Sequence, residues 1–401
     1  MVGPIMGQTA SEHPPPRYLA PRLGAYYAAA FLIVGIKAPF WPVWLAGRGL
    51  GAREIALLFA AAIWVNVVTT PAIGALADRL GRRRAAMVVL CGVAIVGYAC
   101  LWNAHSFWTL FALTLVTATA QTALMPLGDS ITLAEVRERG IDYGRVRVWG
   151  SVSFILAAMA SGVALSRTAA GQGSNTVLAL VLVASLVLFF ACIAVPAEPR
   201  GAARPSRWAA LATMARDRRF WQFIVAAAAL QASHQVYYGF GTLYWRTLGF
   251  SDALIGVLWA EGVVAEIVLF WLGSRLLRRL GPLGLMMTGG VAGIVRWGLM
   301  GLVPGLAAAF ALNLLHALTF GATHLGAMNY LSRTVPPDAA ASAQALYSGA
   351  SSGIGSGLVM LGAGALYAEF GGRAYLFMTA LSALGLLGAM RLAKSASRSA
   401  A

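Results

Sequence analysis

Charge is scarce in this chain of 401 residues. Asp, Glu, Lys and Arg together make up 11%, and only 14 of these are acids against 30 bases. Soluble domains carry roughly 25% charged residues, so this share excludes a freely soluble globular protein. Cysteine is scarcer still. Cys91, Cys100 and Cys192 lie inside apolar segments at spacings that suit neither a disulfide framework nor a metal site, and they read as small buried hydrophobes. There is no paired-carboxylate metal site, no nucleophile with a base at useful spacing and no phosphate-cradling loop. No enzyme, metal or cofactor is therefore expected. The first twenty residues lack the apolar core of a secretory signal, and residues 1–20 are expected to be a disordered cytoplasmic tail.

What fills the chain is apolar: 59% of residues are hydrophobic and the mean hydropathy is +0.73. A net charge of +16 would suit nucleic acid, but a nucleic-acid reader needs a basic face on a soluble module. Here the charges fall in the gaps between apolar segments, so the expected partner is the lipid bilayer and not nucleic acid. Counting apolar runs gives twelve spans, starting near Pro21, Ala52, Ala85, Phe107, Arg145 and Asn175, then near Phe220, Asp252, Leu283, Gly305, Ala340 and Arg373. Each is about long enough to cross a hydrocarbon layer of ~30 Å as a helix. The stretch 196–219, with Pro196, Pro199, Pro205 and six arginines, reads as a cytoplasmic linker between a bundle at 21–195 and a second at 220–393, with 394–401 a cytoplasmic tail. With both termini in the cytoplasm, 22 of the 30 basic residues fall on that side and five on the other, the bias expected of short cytoplasmic loops. Gly349, Gly353 and Gly357 recur every fourth residue, a spacing that lets helices approach closely.

Between the second and third spans lies Gly74-Ala-Leu-Ala-Asp-Arg-Leu-Gly-Arg-Arg-Arg84, and a weaker copy, Arg278-Arg-Leu-Gly281, follows about 200 residues later. The first string resembles the helix 2 to 3 loop of the major facilitator superfamily, with Gly74, Asp78, Arg79, Gly81, Arg82 and Arg83 at the motif positions. That resemblance implies an all-α membrane protein of twelve transmembrane helices in two pseudo-symmetric six-helix bundles. Inverted three-helix repeats and a site near mid-bilayer come with it, and a monomer is the superfamily default.

Ionisable groups inside spans are costly and usually face a cavity or a partner. Those present are Lys37, Asp129, Arg147, His234, Glu261, Glu266, Arg296, His316 and His324, with Gln231 and Asn66 as neutral companions. Asp129 closes the fourth span and Arg147 opens the fifth, so an antiparallel turn brings the two together, either as a substrate contact or as a structural ion pair. Gln231, His234 and Tyr238 are expected on one helix face. Glu261 and Glu266, about 140° apart, cannot both face one cavity. Glu266 suits a proton carrier, with Arg296, His316 and His324 as partners. His316, Phe320 and His324 climb one helix flank.

The strings Pro39-Phe-Trp-Pro-Val-Trp-Leu45, Asp142-Tyr-Gly-Arg-Val-Arg-Val-Trp-Gly-Ser151, His234-Gln-Val-Tyr-Tyr-Gly-Phe240, Gly262-Val-Val-Ala-Glu-Ile267, Arg296-Trp-Gly298 and His316-Ala-Leu-Thr-Phe320 with His324 resemble the phenylpropionate (hydrocinnamate) permease family. The resemblance implies a bacterial inner-membrane importer driven by protons and related to the lactose-permease branch. In that branch an acid on helix 4 and an arginine on helix 5 hold the substrate, matching Asp129 and Arg147. An arginine on helix 9 and a histidine on helix 10 couple protons, matching Arg296 and His316, while the branch's acid beyond that histidine is replaced by Thr319. Lys37 stands where relatives are apolar, and Asn66 where the family pattern has an arginine. A cation moved from helix 2 to helix 1 to meet an anion is one reading. A snorkelling lysine, or one paired with a carboxylate, is the other.

The expected function is proton-coupled uptake of a small organic solute, an aromatic carboxylate such as phenylpropionate. Lys37, Arg147 or Arg296 would meet the anion, with Trp41, Trp44, Tyr238 and Trp259 as apolar walls. The rivals are an exporter of amphiphiles, an importer of a neutral sugar or nucleoside, and a non-transporting membrane receptor.

Overall fold

The computed structural model describes residues 18–168, 173–196, 217–302, 304–335 and 340–400. Most of the expected tail (1–20) and linker (196–219) lies outside them. All regular structure among the described residues is helical: α1 (Leu19–Gly47), α2 (Ala52–Leu80), α3 (Arg83–Leu101), α4 (Phe107–Thr122), α5 (Leu124–Arg139), α6 (Tyr143–Ser166), α7 (Gly173–Ala194), α8 (Arg218–Ala232), α9 (Gln235–Thr247), α10 (Asp252–Met300), α11 (Leu306–Leu314), α12 (Thr323–Thr334), α13 (Ala340–Ser348), α14 (Ser356–Phe370) and α15 (Tyr375–Ala400). Nine helical stretches among the described residues are long and apolar enough to cross a membrane.

The starts follow local chemistry. Ser106, Asp142, Asp217 and Ser251 each accept a backbone N–H of the helix they open, which satisfies a donor that the first turn leaves free. Gly49 (φ 87°) and Gly249 (φ 81°) end α1 and α9, while Gly81 (φ 60°) and Gly281 (φ 66°) sit in the two copies of the basic loop. These left-handed positions repeat at an interval of 200 residues. Gly281 also divides the 49 residues of α10 into two helices.

Interruptions inside spans have identifiable causes. Pro126 has no N–H for the carbonyl of Thr122, and α4 gives way to α5 at Ala123. Between α8 and α9, the hydroxyl of Ser233 donates to Leu230 O at 2.7 Å and His234 Nδ1 meets Gln231 O at 3.1 Å. These side chains take up carbonyls that a continuous helix would use. The stretches Ala317–Ala322 and Gly349–Gly355 are π-helical, a geometry concentrated at functional sites.

α1 lies in the core, packed on α6, α7 and α9. The two halves meet along two glycine seams. A Cβ on Gly256 or Gly162 would strike the backbone of Ala158 or Asp252, joining α10 to α6, and one on Gly357 or Gly364 would strike Trp64 or Ala56, joining α14 to α2. Gly162, Gly256 and Gly364 lie toward the end away from the Gly74–Arg84 loop. A hydrophobic cluster spans both halves there, including Trp44, Ile55, Trp245, Ile255 and Met360.

Candidate functional site

A cavity of about 600 Å³ lies between the halves, walled by α1, α2, α4, the start of α5, α7, α8, α9, the second π segment and α14. Its size is that of a small-molecule site. Most of the wall is apolar or aromatic, including Trp41, Phe59, Tyr238 and Met360. The polar part is largely amide and hydroxyl: Asn66, Gln121, Gln231, Gln235, Ser352 and Ser356. Lys37 is the one charged side chain on it among the described residues.

Lys37 Nζ donates to Tyr98 OH at 2.8 Å and to Gln121 Oε1 at 3.0 Å, and Tyr98 OH also donates to Gln121 at 2.6 Å. The ammonium lies 4.9 Å from the Trp41 ring centroid and 5.2 Å from that of Tyr98, within cation–π range. Neutral acceptors and ring faces hold the charge without cancelling it. Asn66 is fixed by its own donation to Thr122 Oγ1 at 3.0 Å.

Behind the second half of this wall lies a buried network. Arg296, fully enclosed, donates from one guanidinium nitrogen to His316 Nδ1 at 3.1 Å and Thr319 Oγ1 at 3.0 Å, and from the other to Asn313 Oδ1 at 2.8 Å. Asn313 donates in turn to Leu258 O of α10. Arginine has no acceptor, so the contact makes His316 Nδ1 the acceptor. The ring proton then sits on Nε2, which faces Glu266 Oε2 at 3.9 Å. The same logic at His234 puts the proton on Nδ1, against Gln231 O, and lets Nε2 accept from Thr319 at 3.1 Å. Tyr237, stacked on Trp259 at 4.6 Å, and Trp297 cover the guanidinium at 4.7 and 4.3 Å.

The structure thus joins His234, Glu266, Arg296 and His316 in one chain of contacts. His324 stands further along, stacked 6.0 Å from Phe320, which in turn lies 5.4 Å from His316. Trp41, Lys37, Gln231 and Tyr238 line the cavity, whereas Trp259 does not: its indole N–H bonds Thr242 at 3.0 Å inside the second half. The expected single face of Gln231, His234 and Tyr238 is divided, because the break at Ser233–His234 turns the imidazole into the core. Asp129 and Arg147 form no ion pair. Tyr27 OH donates to Asp129 at 2.5 Å and Tyr143 OH at 3.3 Å, while Arg147 lies over Phe31 at 4.0 Å and Tyr27 at 5.6 Å. Tyr27 therefore stands between the two. In the Gly74–Arg84 loop, Gly81 closes α2, Asp78 binds Arg83 Nε at 2.5 Å, and Arg79 and Arg82 are exposed.

Sequence reasoning passed over Asn313, Tyr98, Gln121 and Gln235. Asn313, His316 and Thr319 recur at every third residue, a polar line in an apolar span that signals one buried face.

The family model described as "MFS_1 like family" matches residues 21–379. The chain is 31% identical over 364 residues to the probable 3-phenylpropionic acid transporter of Escherichia coli (strain K12), covering 89% of this chain and 93% of that protein. It is 27% identical over 375 residues to the maltose permease of Geobacillus stearothermophilus, covering 92% and 93%. Among solved structures, the nucleoside transporter NupG matches with a TM-score of 0.83 at 16% identity, covering 94% of this chain and 99% of that one. A bacterial homolog of the human lysosomal transporter Spinster, inward-facing and unoccupied, matches at 0.72 and 14%, covering 94% and 97%. At such identities the two structures speak for the fold alone.

Proposed function

The chain belongs to the MFS_1 like family of multi-pass membrane transporters, and from that premise we propose that it imports a small aromatic carboxylate together with protons. The observation that carries the reading is Lys37, among the described residues the only charge on a largely apolar cavity wall and one without a carboxylate partner. An anionic solute supplies the missing counter-charge, and Trp41, Phe59 and Tyr238 receive its ring. The similarity to a probable 3-phenylpropionic acid transporter supports this choice of substrate.

In this reading Glu266 carries the proton, with His316 its neighbour and Arg296 a fixed charge behind it. The twelve passes are completed by the breaks at Gly281 and Gly371 and by the α4–α5 and α8–α9 pairs. The basic end is cytoplasmic in a bacterial inner membrane, and the glycine seams close the opposite end. Protonation and solute occupancy together then decide which way the cavity opens.

The test is uptake of labelled 3-phenylpropionate by cells carrying the wild type or Lys37→Ala. Losing a charge-assisted contact costs about 1.5–3 kcal/mol, a rise in KM of about ten- to a hundredfold. An unchanged KM in the variant overturns the reading. A second reading, import of a neutral sugar or nucleoside, is favoured by the four amides on the wall, and it requires a neutral solute to displace phenylpropionate completely.

A further inference from the structure

The cavity has a second polar pole opposite Lys37. Gln231 and Gln235, one turn apart on either side of the α8–α9 break, both line it. Gln235 is 6% exposed and makes no hydrogen bond through its side chain among the described residues. Gln231 Oε1 is buried and likewise without a partner. A buried amide left unsatisfied costs about 1–3 kcal/mol per group, so Gln231 Oε1, with the Gln235 amide one turn away on the same wall, marks a place where something else completes the bonding. On the facing wall the Gln121 carbonyl accepts from Lys37 and Tyr98 and the Asn66 amide donates to Thr122, while Asn66 Oδ1, like Gln231 Oε1, is buried without a partner. The second half carries two amides one turn apart, which set donor and acceptor capacity side by side on the wall.

We infer that Gln231 and Gln235 read a hydroxyl group on the solute's ring, so that the substrate is a hydroxyaryl alkanoate and not a bare aryl alkanoate. This rests on the proposed aromatic carboxylate and adds to it the end of the molecule remote from the anion. A phenol donates to one amide oxygen and accepts from the other amide's N–H, which satisfies both partners at once. A second carboxylate at that pole meets no cation, because Lys37 stands on the opposite half. A bare ring buries both amides without a partner. The pole thus selects a neutral hydroxyl against both alternatives, and a site built to bond a hydroxyl discriminates strongly against the analogue lacking it.

The experiment compares 3-phenylpropionate with 3-(3-hydroxyphenyl)propionate and 3-(4-hydroxyphenyl)propionate as competing substrates in proteoliposomes of the full chain. It reads the ratio of kcat/KM values. The wild type is expected to prefer one hydroxylated acid by about tenfold or more. Gln231→Leu with Gln235→Leu is expected to bring that ratio to about one or below. A wild-type ratio of one or less for both hydroxylated acids overturns the inference without recourse to any variant. A ratio that stays high in a folded double variant overturns it as well. If none of the three acids is transported, or if Lys37→Ala leaves all of them unaffected, it is the proposed function that fails. 3-(4-Carboxyphenyl)propionate serves as the control and is expected to be rejected.

Discussion

Lys37 in the first half and Arg296 in the second are both cations without a salt bridge among the described residues, yet they are housed differently. Lys37 reaches the cavity and is steadied by one phenol, one amide and two ring faces. Arg296 is sealed off and bonds three polar side chains on α11, the turn after it and the first π segment. Equivalent positions two hundred residues apart repeat the contrast. Asn66 is neutral and fixed on the cavity wall, while Glu266 is an acid beside a histidine. A cation on the wall stays available to an arriving anion, whereas an enclosed one serves as a fixed reference for groups around it. On the proposed function this contrast becomes a division of labour, with solute charge assigned to the first half and proton charge to the second.

The strongest challenge to that comparison is Arg296→Met. It strands Asn313, His316 and Thr319 in the interior, each at about 1–3 kcal/mol, and transport of every substrate is expected to fall more than a hundredfold. Lys37→Ala, in contrast, acts on KM. Equal losses of maximal rate in the two variants would erase the distinction. Glu266→Gln sharpens the comparison: accumulation against a gradient is lost while counterflow exchange persists, as read by paired uptake and exchange in vesicles. Normal accumulation removes Glu266 from the coupling. The smallest effect belongs to Tyr27→Phe, which takes one hydrogen bond from Asp129 at a cost of about 1 kcal/mol. KM is expected to change less than fivefold, and a large rise would instead place Asp129 in direct solute contact.

Much of the frame was legible before any coordinates. The helix starts fall within two residues of the apolar runs, because a change from apolar to polar composition marks where a helix meets water. The repeat of Gly81 in Gly281 was visible for the same reason. What stayed hidden depends on rotation and on third parties. The spacing of Asp129 and Arg147 predicted a meeting, but spacing says nothing of Tyr27, which arrives from α1 and occupies the gap. The division of Gln231 from His234 arises from side chains capturing carbonyls, which a uniform helical wheel does not represent. Asn313 was overlooked since a lone amide carries no charge to draw the eye, although it ties α11 to the backbone of α10 and to Arg296.

The break between α8 and α9 gives residue 231 a double address. Its side chain lines the cavity, while its carbonyl meets His234 Nδ1 and so the contacts bonded beyond it. A load placed on that amide is transmitted through a single peptide unit, with no intervening lever. One residue thus touches both the cavity and the buried network, through its side chain on one side and its carbonyl on the other.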